Sequence, residues 1–397
     1  MYAREEKSSS ASTYMKEILT MPYEKKIHMS QQKMLPGTEP VSEWDILKGI
    51  GALGLPFIHV IEIFLLCELI DSSNMLPCSV VTALTVFGPS VFMISMGMKL
   101  QKTESPSILI RYGKGLLLIG ILLNALRSII PALLVLAVVG SSADHLVSFL
   151  FLSDIYLFAG LFYLLLGLFR KARISMSGIT VISLLMLTAN CLFSGSAKTG
   201  SETINAMIGN IVYVDDGSVF PLLSWTVFPV SGMLAGKALK NKTQKETDRI
   251  CVHALWISAI ILLSTAIVLH YTGSSAVQIA VSSLNENKTG PLNIILVLCL
   301  NMIAIVLIRF LTRIIHAERI NRWLGWMSAN LMIFYFVHWC ILTLICYAVA
   351  AVLEMNGTTA GFGLMMLLAA LVDVLSVIVV KKWGFSIMKW IFKAVRL

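Results

Sequence analysis

From residue 46 onward the chain is a succession of long apolar runs separated by short polar stretches. The runs fall at 46–70, 78–100, 112–139, 146–169, 174–194, 219–239, 251–271, 291–312, 323–352 and 361–381. About 20 mainly apolar residues let a helix cross the hydrocarbon core of a bilayer. A lone helix also satisfies its own backbone hydrogen bonds there. The pattern therefore predicts an all-α, polytopic membrane protein with about ten transmembrane helices. The third and ninth runs are long enough to tilt or to carry an extra turn. Residues 1–44 are polar, mixed in charge and poor in aromatics, which reads as a disordered or surface-lying tail. The expected organisation is that tail, a transmembrane domain over 45–381, and a short basic C-terminal tail over 382–397.

Charge adds an orientation. One set of loops carries Lys99, Lys102, Arg111 and Lys114, then Arg170, Lys171 and Arg173, then Lys237, Lys240, Lys242, Lys245 and Arg249, then Arg309, Arg313, Arg319 and Arg322. The opposite loops hold only Lys198 and Lys288, and Arg127 lies inside the third run. Basic loops stay on the cytoplasmic side, so both termini are expected to be cytoplasmic. The net charge of +9 then belongs to topology and predicts no nucleic-acid partner. Arg309, Arg313, Arg319 and Arg322 read as a solvated, topology-setting surface.

Composition closes off other classes. Charged residues make up 13% of the chain and mean hydropathy is +0.82, whereas a soluble domain carries about 25% charged residues. A soluble enzyme is excluded. The seven cysteines lie mostly in apolar runs and form no C-x-x-C pair, so they read as small buried hydrophobes. A Cys67–Cys78 pairing is left open. The histidines are scattered and no helix presents three ligands, so no metal site is expected. No cleavable signal peptide is expected, because the polar stretch before Trp44 is too long for one.

Ionisable residues inside apolar runs are costly and default to functional hypotheses. The first run is the richest. Lys48 and His59 are eleven residues apart, within about 20° of one helical face and about 16 Å apart along the axis. Glu62 follows one turn later. Gly49 and Gly51 permit close backbone approach, and Pro56 precedes the histidine. A neutral imidazole takes a proton from an attacking hydroxyl or amine, and a carboxylate on its other nitrogen fixes the tautomer. The same residues also suit hydrogen bonds to backbone or to a neighbouring helix. Arg127 calls for a carboxylate, with Glu62, Glu68 and Asp154 as candidates. Asp154 suits either that pairing or orientation of a substrate hydroxyl. His338, between Tyr335 and Trp339, reads as a packed interior network before a catalytic group. Gly232 and Gly236 read as a helix-packing face, and Asp373 has no helical partner.

Five motifs, in order, resemble those of acyltransferase family 3, the integral-membrane acyltransferases. The first is a cation, ten residues, then histidine on the first helix, here Lys48 and His59 where the family usually has arginine and histidine. The second is Gly88–Gly97 (GPSVFMISMG). The third is Arg111-Tyr-Gly-Lys114, where the family has Arg-x-x-Arg. The fourth, from Phe220 through Trp225 to Gly236, resembles the helix of the heparan-alpha-glucosaminide N-acetyltransferase-like branch. The fifth runs from Ser328 through Tyr335 to His338. The resemblance spans about residues 43–350.

The resemblance implies transfer of an acyl group, usually acetyl, from cytoplasmic acyl-CoA to a hydroxyl or amino group of a sugar or other acceptor, often across the membrane. It implies His59 as the catalytic histidine, with Glu62 beside it by proximity. Lys48, Arg111 and Lys114 would hold the donor. Arg127, Asp154, Trp225 and His338 would bind substrate or support the site. The loop Asp71–Pro77 lacks the histidine of the heparan-enzyme branch, so lysosomal-type N-acetylation is not expected. The expected partners are acyl-CoA, a carbohydrate or lipid-linked acceptor and the bilayer, with no permanently bound cofactor. A homo-oligomer is left open, and the expected location is a bacterial plasma membrane. The rival readings are a proton-coupled transporter or exporter and a catalytically degenerate family member.

Overall fold

A computed structural model describes residues 41–133, 146–271, 291–314 and 317–394, apart from 86, 102–104 and 216. The tail over 1–40, Lys102, Lys288 and the end of the third apolar run lie outside the described residues. Within them every regular element is helical and no strand occurs. The elements are α1 (Glu43–Leu66), α2 (Ser72–Thr85), α3 (Phe87–Leu100), α4 (Pro106–Asn124, continued by a π-turn at Ala125–Ile129), α5 (Leu146–Phe149), α6 (Ile155–Lys171), α7 (Met176–Phe193) and α8 (Glu202–Gly209). Then come α9 (Leu222–Trp225), α10 (Val227–Leu239), α11 (Gln244–Tyr271), α12 (Pro291–Ile314), α13 (Glu318–Ala329), α14 (Leu331–Met355) and α15 (Phe362–Ala394). Eight described helices are long and apolar enough to cross a membrane. The second apolar run covers the end of α2 and all of α3, between which residue 86 is not described, and the fourth contributes the shorter α6.

Local chemistry sets the helix starts. Ser42 accepts the Asp45 N–H, and Glu43 and Asp45 place negative charge at the positive end of α1. Pro106 opens α4 at a position where its missing N–H costs nothing. Ser175 caps α7. Helix α1 runs unbroken through Pro56 and lies at the centre, packed by α2, α3, α12, α13, α14 and α15. Apolar surfaces gain little by hiding from lipid, so close backbone approach carries these contacts. A side chain at Gly97 would collide with the Pro229 carbonyl, and one at Gly232 with the Ile94 carbonyl, so α3 and α10 meet backbone to backbone. Gly113 and Gly160 do the same for α4 and α6, while Gly120 and Gly167 leave room there for the side chains of Leu157 and Ile110.

Three sequence expectations change. The ninth apolar run is not one long span. It breaks at Asn330 into α13 and α14. Helix α13 buries Leu324, Met327 and Ser328, leaves Arg319 and Arg322 exposed, and lies against α1 where Gly49 faces the Leu324 backbone. Its polar face rules out a lipid-immersed span, so the extra length is a separate amphipathic helix. The fourth run starts its long helix only at Ile155, because Asp154 caps it. Arg309 is not a solvated surface residue. It is 8% exposed and ion-paired with Glu43 of α1 and Asp248 of α11. Arg313, one turn on, reaches Asp248 at 2.7 Å. A buried guanidinium needs such partners, and both come from other helices. In addition, α15 continues past residue 381 to Ala394, and all seven cysteines are free thiols.

Candidate functional site

The three-residue step from His59 to Glu62 puts both side chains on one face of α1. His59 Nδ1 lies 2.7 Å from Glu62 Oε2. A proton on Nδ1 satisfies that carboxylate and leaves Nε2 as the ring's lone-pair nitrogen. His59 Nε2 is buried and has no hydrogen-bond partner among the described residues. The Glu62 side chain is 43% exposed, so the pair is covered at the imidazole and open at the carboxylate.

Helix α14 builds the wall around this imidazole. Its residues Tyr335, His338 and Trp339 share a face because they are three and four positions apart. The His59 ring lies 4.3 Å from the Trp339 ring, stacks on His338 at 5.4 Å and meets Tyr335 edge-on at 6.4 Å. His338 is fully buried. Its Nδ1 lies 3.2 Å from the Phe334 carbonyl of the preceding turn, so it donates there. Its Nε2 has no partner among the described residues. The sequence presented Trp339 only as a packing neighbour of His338. The structure makes it the ring nearest His59 among the aromatic side chains around it.

Arg127 lies over the same indole, its guanidinium carbon 4.6 Å from the Trp339 ring centre. It sits within the π-turn Ala125–Ile129, a departure from α-helix that recurs at functional sites. Of its candidate carboxylates the structure selects Asp154, at 3.2 Å. Asp154 is fully buried. One of its oxygens accepts the Tyr156 N–H at 2.8 Å, and the other accepts the Tyr335 hydroxyl at 2.7 Å. The Tyr156 hydroxyl donates to the Met332 carbonyl. The segment before α6 is not helical, and Asn124 holds it by donating to the carbonyls of Leu150 and Leu152 at 3.0 and 2.8 Å. Non-helical backbone within an apolar run survives where protein covers it or a cavity abuts it. That condition lets the carboxylate of Asp154 hold Tyr335, whose ring meets those of both histidines.

The other end of α1 is built differently. Lys48 is buried, 6% exposed, and pairs with Asp45 at 3.4 Å. Asp45 is also held by the hydroxyls of Ser42 and Ser328, each at 2.7 Å. Arg111 and Lys114 are exposed on the first turns of α4. The helix rise separates Lys48 from His59 by about 16 Å, so the structure does not bring Lys48 to the imidazole. Trp225 belongs to neither place. It packs on Phe220 and Phe228, with ring centres 4.9 and 4.8 Å away. Asp373 remains unexplained: one of its oxygens is buried without a partner among the described residues.

Residues 41–377 match a family model described as an acyltransferase domain. No curated protein and no solved structure matches the chain.

Proposed function

The chain belongs to acyltransferase family 3, and from that premise we propose that it transfers an acetyl group from cytoplasmic acetyl-CoA to a hydroxyl or amino group of a glycan or lipid-linked acceptor. The acceptor lies on the far side of a bacterial plasma membrane. In this reading all ten apolar runs span the bilayer and both termini are cytoplasmic, as the loop charges favour. The observation that carries the proposal is the His59–Glu62 pair, with the imidazole's second nitrogen uncommitted. This is the arrangement of a base held in one tautomer.

The residues divide the work. Arg111 and Lys114, exposed at the basic end, attract the phosphates of the donor, and Lys48 lies deeper on the way to His59. The thioester then has to reach about 16 Å along α1 to meet the imidazole. His59 Nε2 takes the acceptor's proton while Glu62 stabilises the imidazolium. A thioester is already activated, so the reaction draws on no bound cofactor.

Calorimetric titration of the purified, detergent-solubilised protein with acetyl-CoA, and with a plain nucleotide as control, tests the donor. Saturable binding of acetyl-CoA alone is the expected outcome. Folded protein that binds neither acetyl-CoA nor longer acyl-CoAs would overturn the assignment.

A further inference from the structure

The Arg127–Asp154 pair has a feature that charge neutralisation inside a membrane does not require. A guanidinium serving only to neutralise a carboxylate is best satisfied by two parallel bonds. Here the shortest approach, from Nη1 to an Asp154 oxygen, is 3.2 Å, and the carboxylate is already engaged by the Tyr156 N–H and the Tyr335 hydroxyl. A guanidinium carries five N–H donors, more than one carboxylate engaged in this way can take. The side chain is 10% exposed. A desolvated cation with spare donors is therefore held by its carboxylate without being consumed by it. It also shares a ring with the base, because the Trp339 ring it covers at 4.6 Å is the ring that His59 approaches at 4.3 Å.

We propose that Arg127 is the electrophilic residue of the acyl transfer, receiving the thioester carbonyl oxygen on its uncommitted N–H groups. This rests on the acyltransferase reading and adds a role to it. The acceptor hydroxyl gives its proton to His59 Nε2 while its oxygen forms a bond to the carbonyl carbon. The π-electron pair of the C=O bond moves onto the oxygen that faces Arg127. When the tetrahedral species collapses, the C–S bond breaks, and the leaving thiolate recovers the proton from the imidazolium. The products are the acyl ester and free CoA. Donors aimed beforehand at such an oxygen act strongly in a water-poor site. Asp154 and Tyr335 are positioning residues that keep the guanidinium from swinging away.

The test follows CoA release from acetyl-CoA in proteoliposomes, with hydroxylamine as the probe acceptor. Arg127→Gln should lower kcat by about 10²–10³-fold with the acetyl-CoA Kd changed by less than about two-fold. Arg127→Lys keeps the charge but loses the planar fork; it should fold as the parent does and still lose most of kcat. Arg127→Ala should regain part of its rate when guanidinium ion is added, a rescue that a purely structural arginine would not show. If Arg127→Gln or Arg127→Lys keeps kcat per folded molecule within a few-fold, or if guanidinium rescues nothing, the assignment is overturned while the acyltransferase reading stands. If the parent protein releases no CoA with hydroxylamine or with water, the acyltransferase reading falls and the role of Arg127 falls with it.

Discussion

The two ends of α1 each carry an ion pair three residues apart, but their surroundings differ. Around Lys48 the partners are local: Asp45 lies three residues away, while Arg111 and Lys114 of the neighbouring basic end are exposed. Around His59 the carboxylate Glu62 is equally local, but further groups come from α4, α6 and α14, among them the buried Asp154, Tyr335 and His338. Exposed cations are screened by salt and contribute little to stability, which leaves them available to a mobile anion. A buried pair has lost its water and cannot exchange partners freely. Capture and chemistry make different demands, and the proposed function assigns them to different places, with Lys48 and His59 about 16 Å apart along α1.

If that contrast is right, variants at the two ends should fail in different ways. The largest effect is expected at His59. His59→Ala should cut CoA release by about 10²–10⁴-fold, the range for a lost general base, while calorimetry still finds acetyl-CoA binding. Loss of binding together with activity would erase the division between the ends.

Stability comes next. Asp154→Ala leaves the Arg127 guanidinium desolvated and unpaired, which should cost about 3–5 kcal/mol. It should appear as a lowered thermal midpoint in detergent. A midpoint near that of the parent would mean that water or another carboxylate takes over, and that the cluster is wetter than its burial implies.

The smallest effect on the fold is expected at the basic end. The double variant Arg111→Ala with Lys114→Ala should melt as the parent does, because exposed charges are each worth about 0–1 kcal/mol. It should bind acetyl-CoA about tenfold more weakly, with the deficit shrinking at high salt as the charge attraction is screened. A salt-independent loss would indicate that these residues shape the fold instead of gathering the donor.

Much of the candidate site was legible because its first pair is local. Helical period alone puts His59 and Glu62 one turn apart on one face, and any buried arginine calls for a carboxylate. The choice of Asp154 over Glu62 or Glu68 was not legible. It depends on how glycines along α4 and α6 let those helices close, which brings residue 154 beside residue 127. Trp339 was hidden for a similar reason. Its neighbours in sequence gave it the look of core packing, and its contact with His59 exists only because α14 lies along α1.

Hydropathy and helical period by themselves determined the membrane class, the apolar runs and the chemistry carried on the first helix. Each of these follows from residues a few positions apart, whose relative placement the helix imposes without help. Tertiary structure alone decided where the ninth run breaks into α13 and α14 and which carboxylate holds Arg127. It also decided that Arg309 is an internal tie between α1, α11 and α12. Those outcomes depend on which buried polar groups meet across helices. In a medium without water, a charge settles beside whichever partner packing delivers.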